Sequence, residues 1–308
     1  MTILITGATG LIGKEIVKRC HEQDISVHYL TTSKEKIKTQ DNYKGFYWNP
    51  KEGVIDAKCF NEVDAIINLA GATIAKRWTN SYKKVILESR VNTLQCLKKA
   101  LSEVENHQIS HILSASAVGF YPDSFTKYYE ESCTKVSPTF LGEVVETWEA
   151  AVDEFAELGL MVSKVRIGLV LDDQEGALPQ IVKPTALGLG APFGSGDQWQ
   201  SWIHVHDLSK IFVHIIQEEL EGIYNGVAPN PITNTELTKA VAKAVNKPLI
   251  LPNIPKFAMK LVLGEMHILL FESQRVSSKK IEDTGFHFTY SNIQPALEDL
   301  LQPNVSNG

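Results

Sequence analysis

An apolar, β-branched run, Thr2-Ile3-Leu4-Ile5-Thr6, stops at Gly7, and Gly10 and Gly13 follow at a spacing of three. A helical pattern carried by Ile12, Ile16 and Val17 then begins. The order is strand, tight turn, helix. Glycine in such a turn permits positive φ and lets the backbone approach a pyrophosphate closely. The helix start adds free N–H groups and the positive end of its dipole for the same anion. The spacing alone recurs by chance; its place directly after a strand and at the head of a helix is what a dinucleotide site requires. Gly7, Thr9, Gly10, Leu11, Ile12 and Gly13 are therefore candidate cofactor-binding residues. The competing reading is a closely packed strand–helix turn with no ligand.

Composition narrows the partners. With 44% hydrophobic and 21% charged residues among 308, the chain can bury a substantial core. A net charge of −6 argues against nucleic acid or an anionic membrane surface as the main partner. No basic segment precedes an apolar stretch, and no apolar run approaches bilayer length, so neither a secretory signal nor a membrane span is expected. Cys20, Cys59, Cys96 and Cys133 are far apart without CxxC pairing, which suits reduced thiols in a cytoplasmic protein.

A second strand, Ser26–Leu30, leads into Thr31-Thr32-Ser33-Lys34. An acid at this strand end would bind the ribose 2′-OH of NAD, whereas hydroxyl and basic groups suit a 2′-phosphate. No acid precedes Glu35, and Thr31, Ser33 and Lys34 are at hand, so NADP(H) is preferred and NAD(H) is the alternative. Residues 40–60 read as short strands and turns on a sheet edge. Ala65–Ala72 is a buried parallel strand ending in small residues that let the chain pass close to a cofactor, so Leu69, Ala70 and Gly71 are candidate cofactor contacts, with Asn68 placed to hold the turn. Ser81–Leu101 has helical periodicity, and Arg90 on it is a further candidate cofactor contact.

The strand beginning at His111 ends in Ser114-Ala115-Ser116, and Tyr121 follows on the loop. Strand C-termini face the ligand crevice in a doubly wound sheet, which places Ser116 and Tyr121 to meet a substrate. A helix from about Gly142 to Leu158 and a strand Val162–Leu171 continue the alternation. Arg166, on that strand, is a candidate cofactor contact. Arg166 and Arg275 would each suit an anion through a bidentate contact or form a structural ion pair. From Asp172 the rhythm changes: 187–196 is turn-rich, Ile223–Val227 is a returning strand, and Thr233 caps a helix to Val245. Trp199 and Trp202 are candidate substrate walls, against the commoner reading of core aromatics. His204 and His206 lack the further ligands that a metal site needs, so no metal is expected, and Asp207 reads as a helix cap.

Taken together, Gly7-x-x-Gly10-x-x-Gly13, Asn68-Leu69-Ala70-Gly71, Ser114–Tyr121 and Ser201-Trp202-Ile203-His204-Val205-His206-Asp207-Leu208 resemble the extended short-chain dehydrogenase/reductase superfamily. More narrowly, Gly188–Gly196, Asn225–Pro231, Gly264-Glu265-Met266 and Ser273–Val276 resemble its atypical, epimerase-family (cell-division-inhibitor-like) branch with its own C-terminal domain. The resemblance spans essentially the whole chain. It implies a Rossmann fold, an NAD(P) cofactor, a small-molecule substrate, and allows a homodimer. Two departures matter. Where the branch often has Thr-Arg-Ser after the second strand, this chain has Thr31-Thr32-Ser33, leaving Lys34 to meet the phosphate. The superfamily's YxxxK should fall near Leu141–Val145, and Phe140-Leu141-Gly142-Glu143-Val144-Val145 contains neither residue. Without that lysine, Tyr121 would titrate near ~10 unless something else perturbs it. Glu143 is then an alternative acid/base, beside Ser116 as a hydrogen-bond donor to the substrate.

The expected architecture is α/β: a doubly wound parallel sheet over 1–171, with 201–228 returning to it. A smaller, mostly helical substrate or lid subdomain is expected from 172–200 and 229–302. The expected activity is that of an NADP(H)-binding oxidoreductase or an epimerase-like enzyme acting at a carbonyl or hydroxyl carbon. The rival is a nucleotide-binding regulatory protein that has lost turnover.

Overall fold

The computed structural model describes residues 1–302. Seven strands form one parallel sheet: β1 (Thr2–Thr6), β2 (Ser26–Thr31), β3 (Tyr43–Asn49), β4 (Ala65–Asn68), β5 (His111–Ala117), β6 (Met161–Ile167) and β7 (Gly222–Gly226). Their spatial order is β7-β6-β5-β4-β1-β2-β3, and the two-residue strand Thr39–Gln40 pairs antiparallel on the outer edge of β3. The central strands are apolar on both faces, as a parallel sheet covered on both sides requires; Ile3, Leu4, Ile5, Ile66, Ile67, Ile112 and Leu113 are all fully buried.

Helix α1 (Leu11–Glu22) connects β1 to β2, and α2 (Asn80–Ser102) connects β4 to β5. The chain leaves β1 in one direction along the sheet and leaves β4 in the other. Right-handed crossovers then send the helices to opposite faces. Accordingly α1 packs on α4 (Val205–Gln217), and α2 packs on α3 (Phe140–Asp153). The reversal between β1 and β4 opens a crevice at their carboxyl ends, the place where doubly wound sheets take ligands.

Two expected boundaries move for identifiable reasons. The strand expected over Val162–Leu171 breaks at Gly168, where a Cβ would lie 2.1 Å from the Ser201 carbonyl oxygen. Beyond it, Leu169–Leu171 leaves the main sheet to pair with Trp202–His204. Asp207 does not cap α4, which begins two residues earlier and is capped by the His204 side chain accepting the His206 N–H. The fully buried Asp207 carboxylate instead accepts N–H bonds from Thr289 (2.9 Å) and Tyr290 (2.8 Å), tying the C-terminal segment to the sheet domain. Thr233 does cap its helix, Asn234–Ala244, in a reciprocal box with Glu236.

A second apolar cluster lies outside the sheet. Leu171, Leu178, Trp202, Leu237, Val241 and Leu297 pack together between helices Leu178–Ala186, Asn234–Ala244 and Ile293–Leu301. No helix of the described residues is long and apolar enough to cross a membrane.

Two expectations test this packing. A Cβ at Gly13 would sit 2.2 Å from Gly7 O and 2.7 Å from Ala8 Cα, both backbone, so neither can swing away. Gly13→Ala should cost about 1–3 kcal/mol in urea unfolding, because α1 must lift off its turn. Buried His111 contacts Ser163 Oγ through Nε2 at 2.8 Å, and the Ser163 hydroxyl proton is given to Leu220 O. That fixes a neutral Nε2–H tautomer, and burial lowers its pKa to about 4. Nitrogen NMR should show that tautomer persisting as the pH is lowered to 5.

Candidate active site

The first turn has the geometry of an anion cradle. Gly7 has φ +72°, and a Cβ there would press on Leu69 at 3.2–3.3 Å. Its carbonyl accepts the Gly10 N–H at 3.0 Å, closing the turn. Gly10 is the extended N-cap of α1; no side chain caps this helix and no acid sits in its first turn. The N–H groups of Leu11, Ile12 and Gly13 therefore begin a helix with no side-chain acceptor, beside the exposed Thr9. Such a terminus favours an anion.

The opposing wall is set by hydrogen bonds across the sheet. Thr6, Asn68 and Ser114 are register partners on β1, β4 and β5. The Thr6 hydroxyl donates to Asn68 Oδ1 (2.8 Å), and Asn68 Nδ2 donates to Ser114 Oγ (3.0 Å). Thr6 Oγ also accepts the Leu69 and Ala70 N–H groups at 3.0 and 3.1 Å. It is thus Thr6 that holds the Leu69-Ala70-Gly71 turn, while Asn68 locks the strands. Arg90 lies against Gly71, where a Cβ would meet its Cζ at 3.3 Å. Its guanidinium donates to Ile86 O (2.8 Å) and Ala72 O (3.3 Å) and sits 4.9 Å over the Trp148 ring. Among the described residues no carboxylate pairs with it; burial lowers its pKa to about 10, still charged at neutral pH.

At the end of β2, the Thr31 hydroxyl accepts the Ser33 N–H (3.2 Å). Ser33 is half-buried, and the exposed Lys34 lies over the Tyr47 ring at 5.1 Å.

The residues expected to do chemistry are placed differently. Ser116, Arg166 and Asn225 are register partners on β5, β6 and β7, two residues beyond the Ser114 position and on the same face. Glu149 of α3 covers them. It accepts a bidentate contact from Arg166 Nε and Nη2, both at 2.8 Å, and the Ser116 hydroxyl at 2.5 Å. Arg166 is only 2% exposed and packs 3.5 Å over the Phe120 ring, so it is the structural ion pair, not a cofactor contact. Ser116 has its proton committed to Glu149. Tyr121 is fully buried, stacked on Tyr129, with its hydroxyl donating to Asn225 Oδ1 at 2.7 Å. Burial pushes its phenol up to about 12, although the neighbouring Arg166 charge acts in the other direction. These three do not meet the crevice as expected of strand-end residues, because α3 closes over them.

Glu143 is exposed in the first turn of α3 and lines a cleft of about 690 Å³ with Lys83, Lys84 and Glu146. That cleft runs between α2 and α3, away from the glycine turn. Trp202 is fully buried in the second apolar cluster, its indole N–H donating to Asn230 O; it is core and not a substrate wall. Trp199 is half-buried, donates to Phe125 O, and carries the exposed Arg275 guanidinium 4.4 Å over its ring.

Comparison with known proteins fits this architecture. A model described as the NAD dependent epimerase/dehydratase family matches residues 3–141, and a domain of unknown function matches 254–300. An epimerase family protein of Staphylococcus aureus strain MRSA252 is 35% identical over 97% of this chain and 98% of its own length. The chain belongs to the epimerase family. A second family member, from Staphylococcus epidermidis strain RP62A, is 36% identical over 97% of this chain and 98% of its own length. Among solved structures, the human epimerase family protein SDR39U1, determined with NADPH, superposes with a TM-score of 0.85 at 29% identity, over 98% of this chain and 99% of that one. A nucleoside-diphosphate sugar epimerase from Corynebacterium glutamicum gives a TM-score of 0.77 at 27% identity, over 98% of this chain and 58% of that one. The matched segment 3–141 runs from β1 to the first turn of α3 and so contains the glycine turn, the Leu69-Ala70-Gly71 wall and Arg90.

Sequence reasoning missed Thr6, Glu149 and Asn225. Thr6 had a visible cue, a hydroxyl on the last strand residue before the glycine turn. Glu149 had none: on α3 it reads as one more helix-surface acid, and only the packing of α3 on β6 reveals its partner. Replacing Tyr121 by Phe should leave Asn225 Oδ1 unpaired in the core and lower unfolding free energy by about 1–3 kcal/mol, measured by guanidinium denaturation.

Proposed function

We propose that this epimerase-family chain binds NADP(H) and acts as an oxidoreductase or epimerase-like enzyme on a small molecule, at a carbon bearing a carbonyl or hydroxyl oxygen. The uncapped start of α1 behind Gly7, facing a wall held by Thr6, carries the reading. On it, the amides at Leu11, Ile12 and Gly13 take the pyrophosphate, with Thr9 and Gly10 at the turn. Leu69, Ala70 and Gly71 form the facing wall. Arg90, a cation without a carboxylate partner beside Gly71, suits an anionic part of the same ligand. Ser33 and Lys34, with no acid at the end of β2, favour a 2′-phosphate over the bare ribose of NAD(H). The NADPH in the human relative's structure supports the same preference. Bound there, the nicotinamide would give or take a hydride at the substrate carbon.

On this reading, residues 1–171 with 201–228 carry the dinucleotide, and 172–200 with 229–302 cover the substrate. The protein's own task is to orient that carbon and to manage one proton. Tyr121 and Ser116 are poor candidates for the proton, one with its phenol near 12 and the other bonded to Glu149. The same burial is what a nucleotide-binding regulatory protein without turnover would tolerate.

Nicotinamide fluorescence titration decides the cofactor. NADPH should bind at least about tenfold tighter than NADH, worth about 1.4 kcal/mol, and Lys34→Glu should abolish that difference. Binding of neither nucleotide overturns the reading. Tight binding with neither NADPH oxidation nor sugar isomerisation, across carbonyl compounds and nucleotide sugars, favours the regulatory protein. Isomerisation without net NADPH consumption selects the epimerase.

A further inference from the structure

Hydride transfer at a carbinol carbon needs a proton acceptor near the carboxyl ends of β4 and β5. Ser116 and Tyr121 are committed to buried partners, and Glu143 lines the α2–α3 cleft. A different carboxyl reaches this region from the C-terminal segment. Glu272 follows the short helix Ile268–Phe271, and its N–H closes that helix on Ile268 O at 2.9 Å. The segment after it is stitched to the loop that follows β5. Ser273 N donates to Asp123 Oδ1 (2.7 Å), Ser124 N donates to Ser273 O (2.8 Å), and Gln274 Nε2 donates to Tyr121 O (3.0 Å). The same Gln274 Nε2 donates to Glu272 Oε2 at 3.2 Å, and Thr139 at the N-cap of α3 lies near enough to favour the charged carboxylate. Glu272 therefore stands between the loop leaving β5 and the start of α3.

We propose that Glu272 is the catalytic residue that exchanges a proton with the substrate's reacting oxygen, an inference that rests on the oxidoreductase reading above. When a carbinol is oxidised, its O–H bond breaks and the proton passes to the Glu272 carboxylate. The C–H electron pair leaves as hydride to oxidised nicotinamide, and the C=O bond forms. In reduction the hydride adds to the carbonyl carbon, and the Glu272 carboxylic acid gives its proton to the alkoxide oxygen.

The electrostatics suit that task. Burial is the main cause that pushes the carboxyl up to about 7, and the neighbouring Asp123 charge adds to it. The nearby Thr139, the Gln274 hydrogen bond and the Lys256 ammonium oppose it. A group poised there is populated as acid and as base at neutral pH, which is where general acid–base catalysis is most efficient. In pH terms, Glu272 is carboxylate above about 7, ready to accept, and carboxylic acid below it, ready to donate.

The test uses the full chain, with Glu272→Gln as the main variant and Glu272→Asp as the conservative one. In nucleotide-free protein, carbon NMR of labelled glutamate carboxyls should show one midpoint near 7 that is missing from Glu272→Gln. With NADPH and the dicarbonyls benzil and diacetyl as probes, Glu272→Gln should lower kcat by about 100-fold or more. Its NADPH affinity should stay unchanged, the pH profile should lose its midpoint near neutrality, and Glu272→Asp should recover part of the rate. A variant that turns over normally, an unaltered pH profile, or an ordinary carboxyl midpoint overturns the proposal. So does a wild-type protein that binds NADPH and reduces neither probe. A residue that only tied the C-terminal segment down would change stability and leave the pH midpoint in place. Failure of the wild type to bind any dinucleotide instead removes the reading on which the proposal stands.

Discussion

Thr6, at the carboxyl end of β1, has one hydroxyl and three partners. It donates to Asn68 and accepts the N–H groups of Leu69 and Ala70, and Asn68 passes the connection to Ser114. Thr6, Asn68 and Ser114 are all fully buried. The chain reverses its direction of travel across the sheet between β1 and β4, so no covalent connection holds these strand ends together there. Backbone ladder bonds alone would leave the β4 turn free to splay. The Thr6 hydroxyl clamps it at a fixed distance from the Gly7 turn, and Gly7 approaches Leu69 so closely that a Cβ would be crowded. The two walls of the crevice are in this sense one unit.

A second buried polar row lies two residues further along the same face. Ser116, Arg166 and Asn225 sit side by side on β5, β6 and β7, with Glu149 from α3 neutralising the arginine and Tyr121 closing the row. Removing a guanidinium from water is costly, and the bidentate carboxylate with the stacked Phe120 ring offsets that cost. The consequence for function is geometric. Residues that strand position would aim at a ligand are turned under α3, and the crevice is left with few titratable groups from the sheet domain. Glu272 lies beside the loop that leaves β5, carried by a C-terminal segment whose backbone and side chains bond to Asp123, Ser124 and Tyr121.

Much of the fold was legible because it rests on local rules. Apolar runs bounded by glycine gave strands, 3.6-residue periodicity gave α2, and Thr233 gave a capped helix. Only neighbourhood decided the rest. Gly168 looks like any strand glycine until the Ser201 carbonyl is found against it. Trp202 and Trp199 are alike in sequence, yet one is sealed in a core and the other lies half-exposed under Arg275. Asp207 has the chemistry of a cap and serves as one, but for N–H groups more than eighty residues away.

By itself, the sequence determined the alternating strand–helix order, the glycine turn and its uncapped helix, and the lack of an acid at the end of β2. These features depend on contacts within a few residues. It also carried the family, since motifs along the whole chain share it. The tertiary structure alone decided which polar groups reach the crevice and which are spent inside the sheet. Pairings such as Ser116 with Glu149, Tyr121 with Asn225 and Gln274 with both Tyr121 and Glu272 join positions far apart in the chain. Whether a hydroxyl or carboxyl is free depends on its burial and on the partner brought to it, and both are set only when the layers close.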